Sequence, residues 1–331
     1  MVRELSESAR NDLPSHERFL FGLCYRMTGS TTDAQDIVQE TFTRALEHPP
    51  EQEHDLRPWL VRVAMNLARD AYRRRKKRSY EGPWLPALVE TTDIIERGTL
   101  PVHARQDHEA SELPSLTEPS TTEGRYDLLE SASYAFLVAM EALRPRERAV
   151  LLLRDVLDYS VSETAEALSL SEANVKTTLH RARKTMEGYD STRNTHARLE
   201  AEERNREALF RFVTCLAAQD MAGVEALLAE GVRALTDGGS EFMAAKLPVL
   251  GRSKVALFYT KLTRQRSDHG IPKMQLVSLN GSPALLFEYP VSEERLASRV
   301  VLRIELDSQG KIAEIHSVLA TEKLAAISTR C

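Results

Sequence analysis

Cysteine is scarce in this sequence. Cys24, Cys215 and Cys331 are the only three, and no two share a C-x-x-C spacing. That excludes a disulfide framework and a zinc site of the usual kind. Cys24 and Cys215 lie in apolar surroundings and read as buried thiols, whereas Cys331 reads as exposed. Long apolar runs are missing as well. No stretch approaches the ~20 residues that a bilayer-crossing helix needs. The opening MVRELSESARNDLPSHERF lacks the apolar core of a secretory signal, so a cytoplasmic protein is expected. There is no catalytic triad, metal motif, phosphate loop or internal repeat, and no cofactor is expected.

What the sequence has is an acidic balance with one strong exception. The formal net charge is -5 and the pI about 6.1, yet every residue from Arg73 to Arg78 is basic. A Gly-Pro-Trp turn follows at once, in ARDAYRRRKKRSYEGPWLP. The length of 331 residues, with 42% hydrophobic and 28% charged, fits two or three soluble, largely helical domains.

Residues 16–78 read as helices. In DAQDIVQETFTRAL the positions Ala34, Ile37, Val38, Phe42, Ala45 and Leu46 follow three-four spacing, with Asp33 as the expected N-cap and a stop at His48-Pro49-Pro50. A second helix is expected from about Pro58. Its stripe of Trp59, Leu60, Val63, Ala64, Leu67 and Ala71 faces inward, and Arg57, Arg62, Asn66 and Arg69 lead into the basic run. Residues 79–126 read as an acidic, proline-interrupted linker, in which GPWLPALVE alone is apolar enough to dock. Residues 127–189 read as a helical unit with a helix-turn-helix. Ser162 is the expected cap, Ala165 and Leu168 face inward, and the turn is at 169–171. The next helix buries Val175, Leu179 and Ala182 and exposes Lys176, Thr177, His180, Arg181, Arg183 and Lys184. Residues 203–325 read as an α+β unit: helices first, then a curved antiparallel sheet from MQLVSLN, ALLFEYP, RVVLRIEL and IAEIHSVL.

Cations at the density of the run neutralise phosphates. Basic residues at a helix C-terminus also gain about 0.3–1 kcal/mol each from the macrodipole, but six in a row repel one another. Nucleic-acid contact therefore outweighs a solvated helix end. Trp59 beside Arg57 and Arg62 suits unpaired bases, with core packing an equal alternative. The exposed side chains after the tight turn suit phosphates and base edges. Asp36, Gln39 and Glu40 form an acidic helix face that would repel DNA, so a protein partner is favoured over DNA; from the residues alone an ordinary solvated face is the simpler reading.

DAQDIVQETFTRAL, RPWLVRVAMNLARDAYRRRKKR and the later LRPRERAVLLLRDVLDYSVSETAEALSLSEANVKTTLHRARKTM together resemble the two blocks of bacterial extracytoplasmic-function (ECF) sigma factors. The resemblance implies roles residue by residue. Asp36, Gln39 and Glu40 would dock on the clamp helices of the RNA polymerase largest subunit. Arg57, Trp59, Arg62, Asn66 and Arg69, with Arg73 and Arg74 of the basic run, would open and read the promoter -10 element. Lys176, Thr177, His180 and Arg181 would enter the -35 major groove, with region 4 near the polymerase flap. GPWLP, the Asp237-Gly238-Gly239 turn and TEKLA at 321–325 resemble the group with a fused SnoaL-like C-terminal domain, which acts as a regulator in cis. That assigns interdomain roles to Trp84, Leu85, Pro86, Asp237, Gly238, Gly239, Lys323 and Leu324. The sequence departs from the group's pattern at Ala87-Leu88 and at Ser240-Glu241.

Trp84 is either an anchor for the third unit or a cap on the first. SnoaL-like domains are hollow cones, so a small ligand in the cavity is one expectation, and catalysis by Asp237 and His316 is a weaker rival. A polymerase-independent DNA-binding regulator is another rival, but it would more often be a dimer. The expected protein is a non-enzymatic sigma factor, monomeric when free, with core RNA polymerase and promoter DNA as partners and no membrane.

Overall fold

The computed structural model describes residues 5–50, 55–77, 80, 82–91, 128–192, 198–268, 270–290 and 295–327. The expectations for Arg78, for the prolines at 101, 114 and 119, and for Cys331 lie outside them.

Among the described residues the first unit has four α-helices, α1 (Glu7–Asp12), α2 (Glu17–Thr28), α3 (Thr31–Glu47) and α4 (Arg57–Lys77), with a 3-10 turn at Leu13–His16. Leu20, Leu23 and Met27 of α2 meet Ile37 and Val38 of α3 and Leu60, Ala64 and Met65 of α4 in the core. Gly29 ends α2 in the left-handed region at φ 70°. The cap of α3 is Ser30, whose hydroxyl accepts from the Asp33 N–H, so Asp33 sits one turn inside the helix rather than at its start. Leu46 lies at the outer edge of the apolar stripe and is exposed.

The second unit contains α5 (Leu128–Ser131), α6 (Tyr134–Ala139), α7 (Pro145–Leu151), α8 (Val161–Leu168) and α9 (Glu172–Thr192). The cap of α8 is Ser160, not Ser162. Ser160 and Glu163 close a capping box, which places Ser162 in the first turn. Ser169 takes φ 53° and makes the tight turn without glycine. The first two units share one continuous apolar core, because α4 packs on both α7 and α8.

The third unit has α10 (Arg198–Ala217), α11 (Met221–Leu227), α12 (Arg252–Ser267) and α13 (Thr321–Leu324). Its six strands are β1 (Leu228–Asp237), β2 (Val249–Leu250), β3 (Lys273–Leu279), β4 (Ser282–Glu288), β5 (Arg299–Leu306) and β6 (Ile312–Val318). They form one open sheet in the order β2-β1-β6-β5-β4-β3. It is antiparallel except at β1–β6, which pair parallel and so make the sheet mixed. Side chains alternate across a strand, and both faces are used. Leu285, Leu302, Ile304 and Ile315 pack under Phe212, Val255 and Tyr259 of the helices. Leu235, Leu286, Val301 and Val318 face the other way, onto Leu85, Leu88 and Tyr134.

Residues 82–90 therefore run as an ordered strap between the sheet and the helical units. Glu90 forms an isolated bridge with Leu279 at the end of β3. The strap is the GPWLPALVE stretch, the one part of the linker expected to dock, and it packs through Leu85 and Leu88.

Candidate functional site

The cations of α4 do not share one fate. Arg73 and Arg74 are exposed, and Arg73 pairs with Asp70 at 3.1 Å. Arg69 donates to Asn66 on its own helix at 3.3 Å. The Arg57 guanidinium lies 4.2 Å over the Phe19 ring, and Trp59 packs half-buried against the shared core. Arg62 reaches across to the second unit and donates to Glu166 of α8 at 2.7 Å. Arg75 does the same, with both Glu141 carboxylate oxygens accepting at 2.7 and 2.8 Å, and it also donates to the Thr28 carbonyl. Lys76 lies 3.2 Å from Glu141. The basic run is thus partly an interdomain ion cluster and not one continuous DNA face.

Glu141 is the centre of that cluster. It also accepts from Arg148 at 2.6 Å, and Arg148 is fully buried, donating to the Arg26 carbonyl at 2.9 Å. Burial pushes the Glu141 carboxyl up, but Arg148, Arg75 and Lys76 outweigh it and hold it below its ordinary value.

The helix-turn-helix presents Lys176, Thr177, His180 and Arg181 together on the exposed face of α9. Arg183 is not part of that face. It fixes α9 through a two-pronged pair with buried Asp155, at 2.6 and 2.9 Å. On α3, Asp36, Gln39 and Glu40 are exposed, with Glu40 paired to Arg44 at 2.8 Å. Beside them a groove of about 230 Å³, lined by Phe21, Val38 and Gln39 among others, opens between α2 and α3.

The interdomain residues converge on the strap. The Arg75 guanidinium lies 3.4 Å from the Trp84 ring centre and the Lys323 ammonium 4.3 Å, so the indole separates a cation of the first unit from one of the third. Its edge meets Gly29. A Cβ at Gly29 would lie 2.7 Å from Trp84 Cη2. Asp237, at the end of β1, is fully buried. Its carboxylate accepts from the Tyr80 hydroxyl at 2.5 Å, the Leu85 N–H at 2.6 Å, the Gly239 N–H at 3.1 Å and the Lys323 ammonium. Burial, then the Asp237 charge, pushes the Tyr80 phenol up, so it stays a donor. Burial pulls the Lys323 ammonium below its ordinary value while Asp237 opposes that. Gly238 admits no side chain, because a Cβ would lie 2.7 Å from the Phe242 carbonyl. Leu85 and Pro86 are buried, and Leu324 packs with Leu85 and Leu88.

Gly29 supplies a test of this packing. Gly29→Ala should cost about 1–2 kcal/mol for the left-handed backbone alone, and it should also expel the Trp84 ring. In a Trp59→Phe background, Trp84 emission should shift toward that of a solvated indole. Unchanged emission would show that the ring is not seated on Gly29.

Several residues here escaped the sequence reading: Tyr25, Tyr80, Tyr134, Glu141 and Asn280. Asn280 takes φ 50° before Gly281 in the β3–β4 hairpin turn. It accepts from the Val89 N–H at 3.0 Å and donates to Tyr25 at 2.8 Å and to the Ala132 carbonyl at 3.0 Å, tying all three units together. Its partners lie 148 to 255 residues away in the chain and leave no local signal. The departures from the family pattern also find places. Ala87 donates to the Gly29 carbonyl at 2.8 Å and accepts from Tyr25 at 2.7 Å, and Leu88 is fully buried. Glu241 accepts from the Thr321 N–H at 3.3 Å.

Asp237 and His316 do not form a cavity pair. His316 lies on the sheet face opposite α10–α12, with its ring 5.5 Å from that of Tyr134, and Asp237 is committed to the strap. Among the described residues, no group of three His, Cys, Asp or Glu could hold a metal ion, and no helix is long and apolar enough to cross a membrane.

Two helical units with a basic helix and a helix-turn-helix, joined to an α+β unit, define a promoter-directed class of protein, and comparison with known proteins agrees. The sigma-70 region 2 profile matches residues 14–78, and the sigma-70 region 4 profile matches residues 133–186. The chain is 31% identical over 296 residues to the ECF RNA polymerase sigma factor SigG of Mycobacterium tuberculosis, covering 85% of this chain and 75% of SigG. It is 28% identical over 264 residues to SigJ of the same organism, covering 79% and 75%. The crystal structure of SigJ superposes with a TM-score of 0.67 at 24% identity over 96% of this chain and 98% of that one, so the fold is common to the full length. The chain belongs to the ECF RNA polymerase sigma factors. It directs promoter-specific initiation by binding core RNA polymerase and promoter DNA, and the catalysis of RNA synthesis is the polymerase's.

Proposed function

We propose that this sigma factor is held closed by its own C-terminal unit and opens when polymerase and promoter compete for its surfaces. The observation that carries this reading is Trp84, packed between Arg75 of the first unit and Lys323 of the third.

The closed arrangement cannot occupy a promoter. The -10 and -35 elements are separated by about 25 base pairs, roughly 85 Å at 3.4 Å per pair. Units that share one core cannot span that distance. α4, with its 21 residues, is itself only about 32 Å long at 1.5 Å per residue. In the same state Glu166 holds Arg62, one of the cations assigned to the -10 element. Asp36, Gln39 and Glu40 stay exposed. Docking on the largest-subunit clamp helices therefore comes first in this reading, with region 4 then moving to the flap. After opening, Arg57, Trp59, Arg62, Asn66, Arg69, Arg73 and Arg74 serve the -10 element, and Lys176, Thr177, His180 and Arg181 serve the -35 element. The domain limits proposed are 1–78, 79–126, 127–189 and 203–325, all acting in the cytoplasm. The tether keeps the third unit at an effective concentration near millimolar, so individually weak contacts suffice.

The test is transcription in vitro with core RNA polymerase, comparing the full chain with a truncation ending at Tyr189 and with a full-length Trp84→Ala variant. At saturating promoter concentration, both variants should initiate several-fold more transcripts per holoenzyme than the full chain. Equal output from all three would remove the third unit's restraining role, and no promoter-directed output from any would defeat the assignment of the first two units.

A further inference from the structure

The helix Arg252–Ser267 carries five cations and no acid. Two of them serve the fold. Arg252 donates to the Leu228 carbonyl at 3.1 Å. Arg266 donates to the Ala297 carbonyl at 3.0 Å and lies 4.5 Å over the Tyr289 ring. The other three, Lys254, Lys261 and Arg264, are exposed and have no partner among the described residues. Offsets of seven and three residues put them on one face of the helix. Leu257 lies within the same stripe and is 44% exposed. Asp268 follows at the end of the helix.

Local stability does not account for this arrangement. Cations are unfavourable near a helix N-terminus. Yet this helix begins with Arg252 and Lys254, has no acid in its first turn, and is preceded by Gly251 with no side-chain cap. A merely solvated face would gain from i,i+4 acid–base pairs; Lys254 and Lys261 have no acid at that spacing, and Arg264 forms no ion pair with Asp268 among the described residues. Lys254 and Arg264 are ten residues apart, about 15 Å along the axis, so the row can meet several successive phosphates of one backbone.

We infer that Lys254, Lys261 and Arg264 form an additional DNA-contacting surface that takes the phosphate backbone of promoter DNA without base preference. This rests on the sigma reading of the first two units, which place the third unit beside the promoter once the protein has opened. The surface then supplies affinity, and the first two units supply sequence. Three phosphate contacts add up to about 2.7 to the slope of log affinity against log salt, at about 0.9 per contact.

The experiment uses holoenzyme assembled from core polymerase and the full chain, bound to a promoter fragment over a range of salt. K254E/K261E/R264E should bind about tenfold more weakly at moderate salt, with a slope smaller by about 1–3, and with promoter preference unchanged. The charge-conserving K254R/K261R/R264K should restore both, which separates charge from folding. An unchanged slope overturns the proposal. So does a loss that appears in assembly with core polymerase rather than on DNA, since the row would then face an acidic protein surface. A parallel Lys176→Ala/Arg181→Ala variant should lose -35 preference. If it does not, the region 4 reading has failed and not this one.

Discussion

Replacing Asp237 with alanine should lower the stability of the full chain by about 3–5 kcal/mol, the usual cost of removing one partner of a buried ion pair. Asp237 is fully buried and Lys323 is 3% exposed, so the ammonium left behind would have neither water nor a counter-ion. The Leu85 and Gly239 N–H groups and the Tyr80 hydroxyl lose the same acceptor. Urea unfolding of the full chain measures the loss. The strap should detach with it, raising proteolysis near residues 80–86 and the radius of gyration. Asp237→Leu/Lys323→Met should recover much of the stability, because the unpaired charge is gone. A loss below about 1 kcal/mol would place the clasp among solvated surface pairs and remove its regulatory weight.

Glu141→Gln should open the contact between the first two units at neutral pH, and acid should do the same to the unmodified protein. The sign follows from linkage. The Glu141 carboxyl is held below its ordinary value when folded, so its contribution is complete above the unfolded value near 4.3 and is lost as pH falls through the lower folded value. Arg148 is fully buried and would be left without its carboxylate, so Glu141→Ala is expected to cost about 3–5 kcal/mol. Trp84 reports the event, because Arg75 bridges the indole and Glu141. In a Trp59→Phe background, its emission should step in the parent protein as pH falls below the unfolded value. The Glu141→Gln variant should start in the stepped state and show no transition. A step of the same size and position in the variant would assign the acid change to another group.

The helices were legible from residue order because their causes are local. Three-four spacing placed the inner faces of α3 and α9, and the pairing of prolines after Glu47 placed a stop. On α4 the expected stripe was off by part of a turn: Val61, Met65, Ala68 and Tyr72 are buried beside Leu60, Ala64 and Ala71, while Trp59, Val63 and Leu67 lie at the edge, because α4 packs on two units at once. Caps were misplaced by a turn or less, since Ser30 and Ser160 compete with nearby polar residues for the same N–H groups. The strand runs were legible from their composition. The parallel β1–β6 pair was not, because pairing partners as distant in the chain as Leu228 and Ile312 leave no local trace.

The sequence by itself determined which residues carry positive charge, which helices are amphipathic, and which family the motifs resemble. The first two follow from composition and short-range periodicity, and the third from the motifs' likeness to a known family. Only the tertiary structure decided which cations are free. Arg75 and Arg74 are adjacent in one basic run, yet Arg75 is locked between Trp84 and Glu141 while Arg74 faces solvent. One residue along a helix turns a side chain by about 100°, and at 3.6 residues per turn that separates an interdomain contact from an exposed face. What lies on each side depends on parts of the chain that only folding brings together.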